Sequence, residues 1–380
     1  MNSKTHTILL FALATLLALA ARASDTIPVG AFSDSTHHWY AVNRDTAPRV
    51  IQPIPNQPTY KPSQIKEIAD NLLLFQRANG AWPKNYDFLA ILTPEQIAAV
   101  KATRNEDDTT IDNYNTHSQI TYLARAYNKL HDKRYLDAAQ RGFDAILTAQ
   151  LPCGGFPQIW PHPKGYSAYL TFNDGVTIGM LTLIRDVAQA RPGFEWFSPD
   201  RRKKAAAALA RGIECLLATQ YTNKKGELQG WAQQCDPVTL KPAKARNHEM
   251  PALCALDTAQ IIQFLMGVEN PDPRVIRSIK AGAAWLDKNR IKGIRIEKAP
   301  TAETYRGADR HVVKDPAAPD IWARLYELET DRPMFVNNES KVFYELAQVK
   351  DRRAGYGWYT YVPADILAND YPAWLKKIKH

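Results

Sequence analysis

The chain has 380 residues, of which 45% are apolar, so it can bury a large core as one large domain or two ordinary ones. Its formal charge of +9 suits an anionic partner. Nucleic acid is set aside, because the sequence carries no zinc-finger spacing, no recognition signature and no dense Lys/Arg tract.

The N-terminus carries an export signal: Lys4, an apolar stretch from Ile8 to Ala21, and a small-x-small site at Ala21-Arg22-Ala23. Residues 1–23 are therefore expected to be a signal peptide, whose removal takes away Lys4 and Arg22 and leaves a charge of +7. The apolar stretch is too short to span a bilayer, and no later segment is long and apolar enough, so no membrane partner is expected. Residues 24–60, with the proline-rich stretch from Arg49, read as an N-terminal arm, and residues 61–380 as one catalytic domain. The four cysteines include no CxxC pair, which speaks against a zinc site. Cys153 and Cys235 lie in loop-like segments and can pair, whereas Cys215 and Cys254 fall in apolar helical stretches and read as buried thiols.

Three segments share one layout. Asp70 to Gln76 precedes Asn79-Gly-Ala-Trp-Pro-Lys84, Asp144 to Gln150 precedes Gly154-Gly-Phe-Pro-Gln158, and Glu214 to Gln220 precedes Gly230-Trp-Ala-Gln-Gln234. Each is an amphipathic helix ending in Gln, then a Gly/Trp/Pro-rich loop, and the Gln residues recur at steps of 74 and 70. A second helix follows each loop, near Thr116–Lys129, Thr177–Gln189 and Thr258–Gly267, with a Thr near its start that reads as an N-cap or first-turn residue. Tyr135–Gln150, Asp200–Thr219 and Pro273–Lys288 are predicted helical as well. Strand signals are sparse, at Val50 to Tyr60 and Arg290 to Glu297. The expected fold is mainly α, an (α/α)3 barrel or toroid with short strands and long loops.

The loops before the second helices carry acidic residues: Thr110-Ile-Asp112-Asn113, Thr171-Phe-Asn-Asp174-Gly175 and Arg246-Asn-His-Glu249. Each acid alone reads as a helix cap. Asp112, Asp174 and Glu249 at one mouth of a ring would offer oxygen ligands to a hard cation such as calcium. Arg246 is either an ion-pairing arginine or one that faces a sugar carboxylate or takes a proton, with His248 and Glu249 tuning it. Lys84 and Arg332 are further candidates for substrate carboxylates, since arginine grips a carboxylate through two parallel bonds. Trp82, Trp160 and Trp231 are placed either to stack on sugar rings or to pack in the core.

These segments resemble the family 10 pectate lyases. The resemblance also covers Ile321-Trp-Ala-Arg-Leu-Tyr326, Asp331-Arg-Pro333 and Arg352-Arg-Ala-Gly-Tyr-Gly-Trp-Tyr359, and runs from about residue 65 to the C-terminus. It implies an α/α toroid and calcium-dependent cleavage of polygalacturonate, with Arg246 as the catalytic base. It also implies that Asp112, Asp174 and Glu249 line the calcium and substrate cleft, with Arg332 on the substrate. Lys84, Asn113 and Trp231 are expected to bind substrate as well. A monomer is expected. The sequence departs from the pattern at Cys153, at Cys235 and at Val336-Asn-Asn-Glu-Ser340.

The chemistry is a β-elimination: the proton on C5 of galacturonate leaves, then the oxygen on C4. Calcium on the neighbouring carboxylate would stabilise the charge that develops. An arginine base implies an alkaline optimum, because arginine is ordinarily protonated. Two rivals make distinct predictions. An inverting glycoside hydrolase would use Asp112 and Asp174 as acid and base without calcium. A non-catalytic binder of anionic glycans would release no product.

Overall fold

The computed structural model describes residues 26–41, 49–301 and 308–378, so the expected signal peptide lies outside the described residues. It is largely helical, with 44% helix and 13% strand. No helix among the described residues is long and apolar enough to cross a membrane. The chain forms two compact units, Met1–Ala145 with Pro192–Trp196, and Ile146–Arg191 with Phe197–His380.

In the first unit, α1 (Ser33–Tyr40) lies within the segment read as an arm, and α2 (Ile65–Phe75), α3 (Pro94–Ala102) and α4 (His117–Leu130) follow. α2 buries Ile65, Ile68, Ala69, Leu72 and Phe75, a single stripe at helical spacing. α3 begins at a capping box, in which Thr93 Oγ1 accepts from Gln96 N and the Gln96 side chain accepts from Thr93 N, with Pro94 in the first helical position. α5 (Lys133–Ala149) leaves this unit for the second. The stretch from Val50 to Tyr60, expected to be a strand or an extended loop, is a loop with one isolated bridge, Thr59 to Ala90.

In the second unit α6 (Val176–Ala188) packs on α7 (Pro199–Thr219), and α8 (Ala255–Met266) packs on α9 (Pro273–Lys288). Local signals set the starts of α7 and α9. Ser198 and Asp272 cap with their side chains, each followed by proline. Glycine permits the close approaches. A β-carbon on Gly212 of α7 would stand 2.2 Å from Leu181 Cδ2 of α6, and one on Gly282 of α9 2.8 Å from Ile262 Cγ2 of α8.

The three Gln residues at the helix ends perform one task. Gln76 Nε2 donates to the carbonyls of Gly80 and Ala138, both at 2.9 Å. Gln150 Nε2 donates to Gly154 (2.8 Å) and Ala208 (2.9 Å), and Gln220 Nε2 to Gln229 (2.8 Å) and Ser278 (3.0 Å). Each amide ties its own loop to the next long helix, which satisfies buried carbonyls and explains the repeat. The Thr residues stand at the helix starts as read, Thr116 at the N-cap position and Thr177 and Thr258 in the first turn. Their side chains make no cap hydrogen bond; the hydroxyls accept from the loop amides of Trp82 (3.4 Å), Phe156 (3.2 Å) and Trp231 (2.9 Å).

Short antiparallel strands hold the loops of the second unit. β1 (Leu170–Thr171) pairs with β2 (Gln234–Cys235), Leu170 opposite Cys235. A four-stranded sheet runs β3 (Leu253–Cys254), β7 (Leu325–Tyr326), β8 (Pro333–Val336) and β9 (Val342–Phe343). β4 (Ile294–Pro300) pairs with β5 (Ala308–Lys314), and β6 (Trp322–Ala323) with β10 (Tyr359–Thr360).

Candidate active site

The second unit gathers the Arg246 constellation. Arg246 and Glu249 sit on one tight turn, where the Glu249 amide donates to the Arg246 carbonyl (2.8 Å) and the Ala245 amide to the Glu249 carbonyl (3.0 Å). The turn places the two side chains together. Arg246 Nε donates to Glu249 Oε2 at 2.8 Å and Nη2 to Oε1 at 2.5 Å, a bidentate pair. The Arg246 side chain is 38% exposed, while that of Glu249 is 2% exposed.

Two further groups hold Glu249 from behind. Tyr356 Oη donates to Glu249 Oε1 (3.0 Å), and Gln233 Nε2 to the same oxygen (3.3 Å). Arg324, on the residue between β6 and β7, donates through Nε to Gln233 Oε1 at 2.5 Å. The guanidiniums of Arg324, Arg352 and Arg246 stand 4.6, 5.8 and 6.0 Å from the centroid of the Tyr356 ring. Arg352 Nη2 also meets His248 Nε2 at 2.8 Å, and the His248 ring packs edge-on to Tyr356. Three cations around one buried phenol make a surface suited to carboxylates.

Asp174 closes β1 in a short turn, itself at φ +56° and followed by Gly175 at +71°. This left-handed pair is one that Asp tolerates and Gly adopts without strain. Asn173 Nδ2 donates to Asp174 Oδ2 (2.6 Å), and Gln234 Nε2 on β2 anchors Asn173 through Oδ1 (2.7 Å). Asp257, in the first turn of α8, is 1% exposed, and neither of its carboxylate oxygens has a hydrogen-bond partner.

The electrostatics follow from these contacts. Burial pulls the Arg246 guanidinium down, but Glu249, aided by Tyr356 and Asp174, leaves it above the ordinary arginine value. Burial works to raise Glu249, yet its bonds to Arg246 outweigh that and hold it at about 2. Burial, with Arg352 beside it, brings His248 down to about 4, so it is neutral at pH 7. Burial raises Asp257 to about 7 against the pull of Arg324, with Asp174 and Glu249 adding to the rise.

The first unit holds a separate group. Lys84 Nζ donates to Asp112 Oδ2 at 2.5 Å and to Asn113 Oδ1 at 3.3 Å, and Asn113 Nδ2 donates to Asp34 Oδ2. Asp112 is 4% exposed. Asn113, Tyr114 and Thr116 all have positive φ, a run held by Asn115 Nδ2 donating to the Trp82 and Thr110 carbonyls.

Asp174 and Glu249 thus lie in the unit of Arg246, while Asp112 lies with Lys84 and Asn113 in the other. Among the described residues, no group of three or more His, Cys, Asp or Glu side chains is placed to hold a metal ion. Both Glu249 oxygens accept from Arg246, so in this structure Glu249 stands as its counter-ion. Carboxylates such as Asp112 and Asp174 are the donor type that calcium takes, with water and substrate able to fill much of its shell. Trp231 corrects the sequence reading. It is wholly buried, its indole Nε1 donates to the Leu216 carbonyl (2.8 Å) and its ring lies over Gly282, so it packs the core and cannot stack on substrate. Trp82 is buried in the same way. Arg332 lies on the β7–β8 turn with its guanidinium 3.4 Å from the Tyr344 ring centroid. Gln233, Arg324, Arg352, Tyr356 and Asp257 were given no role from the sequence, although the WxRxY and RRxGYGWY segments that carry three of them stood out as motifs.

Comparison with known proteins identifies the family. Among solved structures, the chain is similar to a mutant of the family 10 polysaccharide lyase of Cellvibrio cellulosa in complex with trigalacturonic acid. The identity is 25%, the TM-score 0.72, and the match covers 81% of this chain and 92% of that one. It is also similar to the family 10 polysaccharide lyase from the same organism, with 24% identity, TM-score 0.72, and coverage of 92% and 99%. A search of curated proteins finds no match. The family model for pectic acid lyase matches residues 76–367, so the chain belongs to the pectic acid lyase family and is a pectate lyase.

Proposed function

We propose that this lyase cleaves α-1,4-polygalacturonate by calcium-assisted β-elimination, with Arg246 taking the C5 proton. The observation that carries the reading is the set of Arg246, Arg324 and Arg352 around Tyr356, a cationic surface matched to a polymer with one carboxylate per sugar. The trigalacturonic acid bound to the Cellvibrio lyase supports an oligogalacturonate substrate. Helix pairs recurring at steps of 74 and 70 residues support closure as an (α/α)3 toroid. Lys4, the apolar stretch that follows and the Ala21-Arg22-Ala23 site support export.

In this mechanism the Arg246 side chain, 38% exposed, reaches the substrate, while Tyr356 and Gln233 hold Glu249 in place as its partner. Arg324 and Arg352 bind substrate carboxylates and keep the sugar oriented. Asp174, in the unit of Arg246, offers a carboxylate oxygen for calcium, and in the other unit Lys84 and Asn113 hold Asp112 in position. Calcium held at Asp174 would supply positive charge against the negative charge that develops as C5 loses its proton. Arg246 accepts that proton in its neutral form, a minority form while Glu249 is paired with it, so turnover rises with pH. The O4 glycosidic oxygen departs and leaves an unsaturated sugar end.

The test is Arg246→Ala. Turnover is expected to fall by roughly 10²–10⁴-fold, as for loss of a general base, while calorimetry still detects trigalacturonate binding through Arg324 and Arg352. A variant that turns over at the parental rate ends the assignment.

A further inference from the structure

Three of the four cysteines meet away from the Arg246 constellation. Cys153 sits in the loop after α5, Cys215 on α7 and Cys235 on β2. The loop is pressed onto α7: a β-carbon on Gly154, which has φ +97°, would stand 2.2 Å from the Arg211 carbonyl oxygen, and one on Gly155 3.3 Å from Cys215 Sγ. Glycine at both positions lets the neighbouring Cys153 reach the helix. The Cys153 and Cys215 thiols lie near enough for each to perturb the other's titration. Cys153 is partly exposed, whereas Cys215, Cys235 and Cys254 are buried. Cys153 also lines a cavity of about 540 Å³ with Pro152, Arg211, Glu214 and Val275, which gives a small thiol reagent a way in.

We propose that Cys153 and Cys215 are an oxidisable pair that closes a disulfide when the protein meets a small-molecule disulfide such as glutathione disulfide. The Cys153 thiolate attacks one glutathione sulfur, forming a mixed disulfide and releasing one glutathione thiolate. Cys215 passes its proton to that thiolate through solvent, attacks the Cys153 sulfur and releases the second glutathione. Two protein thiols are oxidised to one disulfide, and one glutathione disulfide is reduced to two thiols. Cys153 suits the attacking role: the neighbouring Cys215 holds its thiol at about 6 against the opposing effect of burial. Cys235 does not, because burial raises it to about 12. The sequence allows Cys153 to pair with Cys235; the partner proposed here is Cys215 instead.

The bond would clamp a loop that backs the site. The Phe156 carbonyl of this loop accepts from the Thr171 amide (3.0 Å), and its amide donates to Thr177 Oγ1 (3.2 Å). Thr171 and Thr177 flank the turn that bears Asp174.

To test this, the full chain is incubated with glutathione disulfide, quenched in acid, unfolded and alkylated with iodoacetamide without reductant. Two of the four cysteines are expected to escape alkylation, and digestion to yield a Cys153–Cys215 cross-linked peptide that dithiothreitol separates. A Cys254→Ser variant should keep the cross-link, and Cys153→Ser should alkylate at all its remaining cysteines. Alkylation of all four thiols, a Cys153–Cys235 cross-link, or a glutathione adduct on Cys153 that never resolves would each overturn the proposal.

Discussion

Glu249→Gln separates two readings of Arg246, as a base or as a fixed cation. The wild-type pair has two charge-assisted bonds, at 2.8 and 2.5 Å, and Glu249 is what holds the Arg246 guanidinium above its ordinary value. Glutamine keeps the size and an acceptor oxygen but removes the charge. Hydrogen bonds to charged groups contribute ~1.5–3 kcal/mol. Solvent screens a side chain that is 38% exposed, which favours the lower end, about 1.5 kcal/mol. At ~1.4 kcal/mol per unit, Arg246 should lose its proton about one pH unit lower. The sign follows directly: a neighbouring carboxylate favours protonated arginine, so its removal populates the neutral base at lower pH. The assay is kcat/KM on polygalacturonate against pH, with circular dichroism to show that the variant folds. If Arg246 is the base, the rising alkaline limb moves down by about one unit. A limb that stays in place, or moves upward, refutes the base role and leaves Arg246 as a protonated binder of carboxylate.

Other consequences can be checked on stability. Trp231→Ala should cost about 3–5 kcal/mol in urea unfolding, because a fully buried indole and its bond to Leu216 are lost. Trp231→Phe should fold and keep its KM, and a raised KM would return Trp231 to the substrate surface. Asp257→Asn should stabilise the protein more at pH 8 than at pH 5, by about 2–3 kcal/mol, since a carboxyl raised to about 7 burdens the folded state only as pH climbs from its unfolded value through 7. An equal effect at both pH values would show that Asp257 titrates normally. Glu249 works in the opposite sense: held at about 2, it adds stability above its unfolded value that is lost as pH falls toward 2, and Glu249→Gln should flatten that acid limb.

The long helices were legible because their signals are local. Pro273–Lys288 was read to the residue, helped by Asp272 and Pro273 at its start, and the other five helices given in full agree to within about three residues, while the one ending at Gln76 starts earlier than read, at Ile65. The Gln repeat was visible as spacing, but its purpose was not, since its second acceptor lies on another helix. The Thr residues were located but their partners were not, for a similar reason: a hydroxyl at a helix start serves a cap or a distant loop amide, and only the fold decides which. Trp231 follows a glycine in a polar loop, a setting that does not tell a ring facing solvent from one lying on Gly282. Arg246 and Glu249 were adjacent enough to suspect. Arg324 and Tyr356 reach them through strands two residues long, such as Trp322–Ala323 against Tyr359–Thr360, too short to leave an alternating pattern.

The most direct test of the central claim is ultraviolet absorbance during incubation with polygalacturonate at alkaline pH, first with calcium and then with chelator. Calcium-assisted β-elimination predicts a steady rise from the unsaturated sugar end that chelator abolishes and added calcium restores. New reducing ends without any rise in absorbance would contradict it, because hydrolysis leaves no double bond.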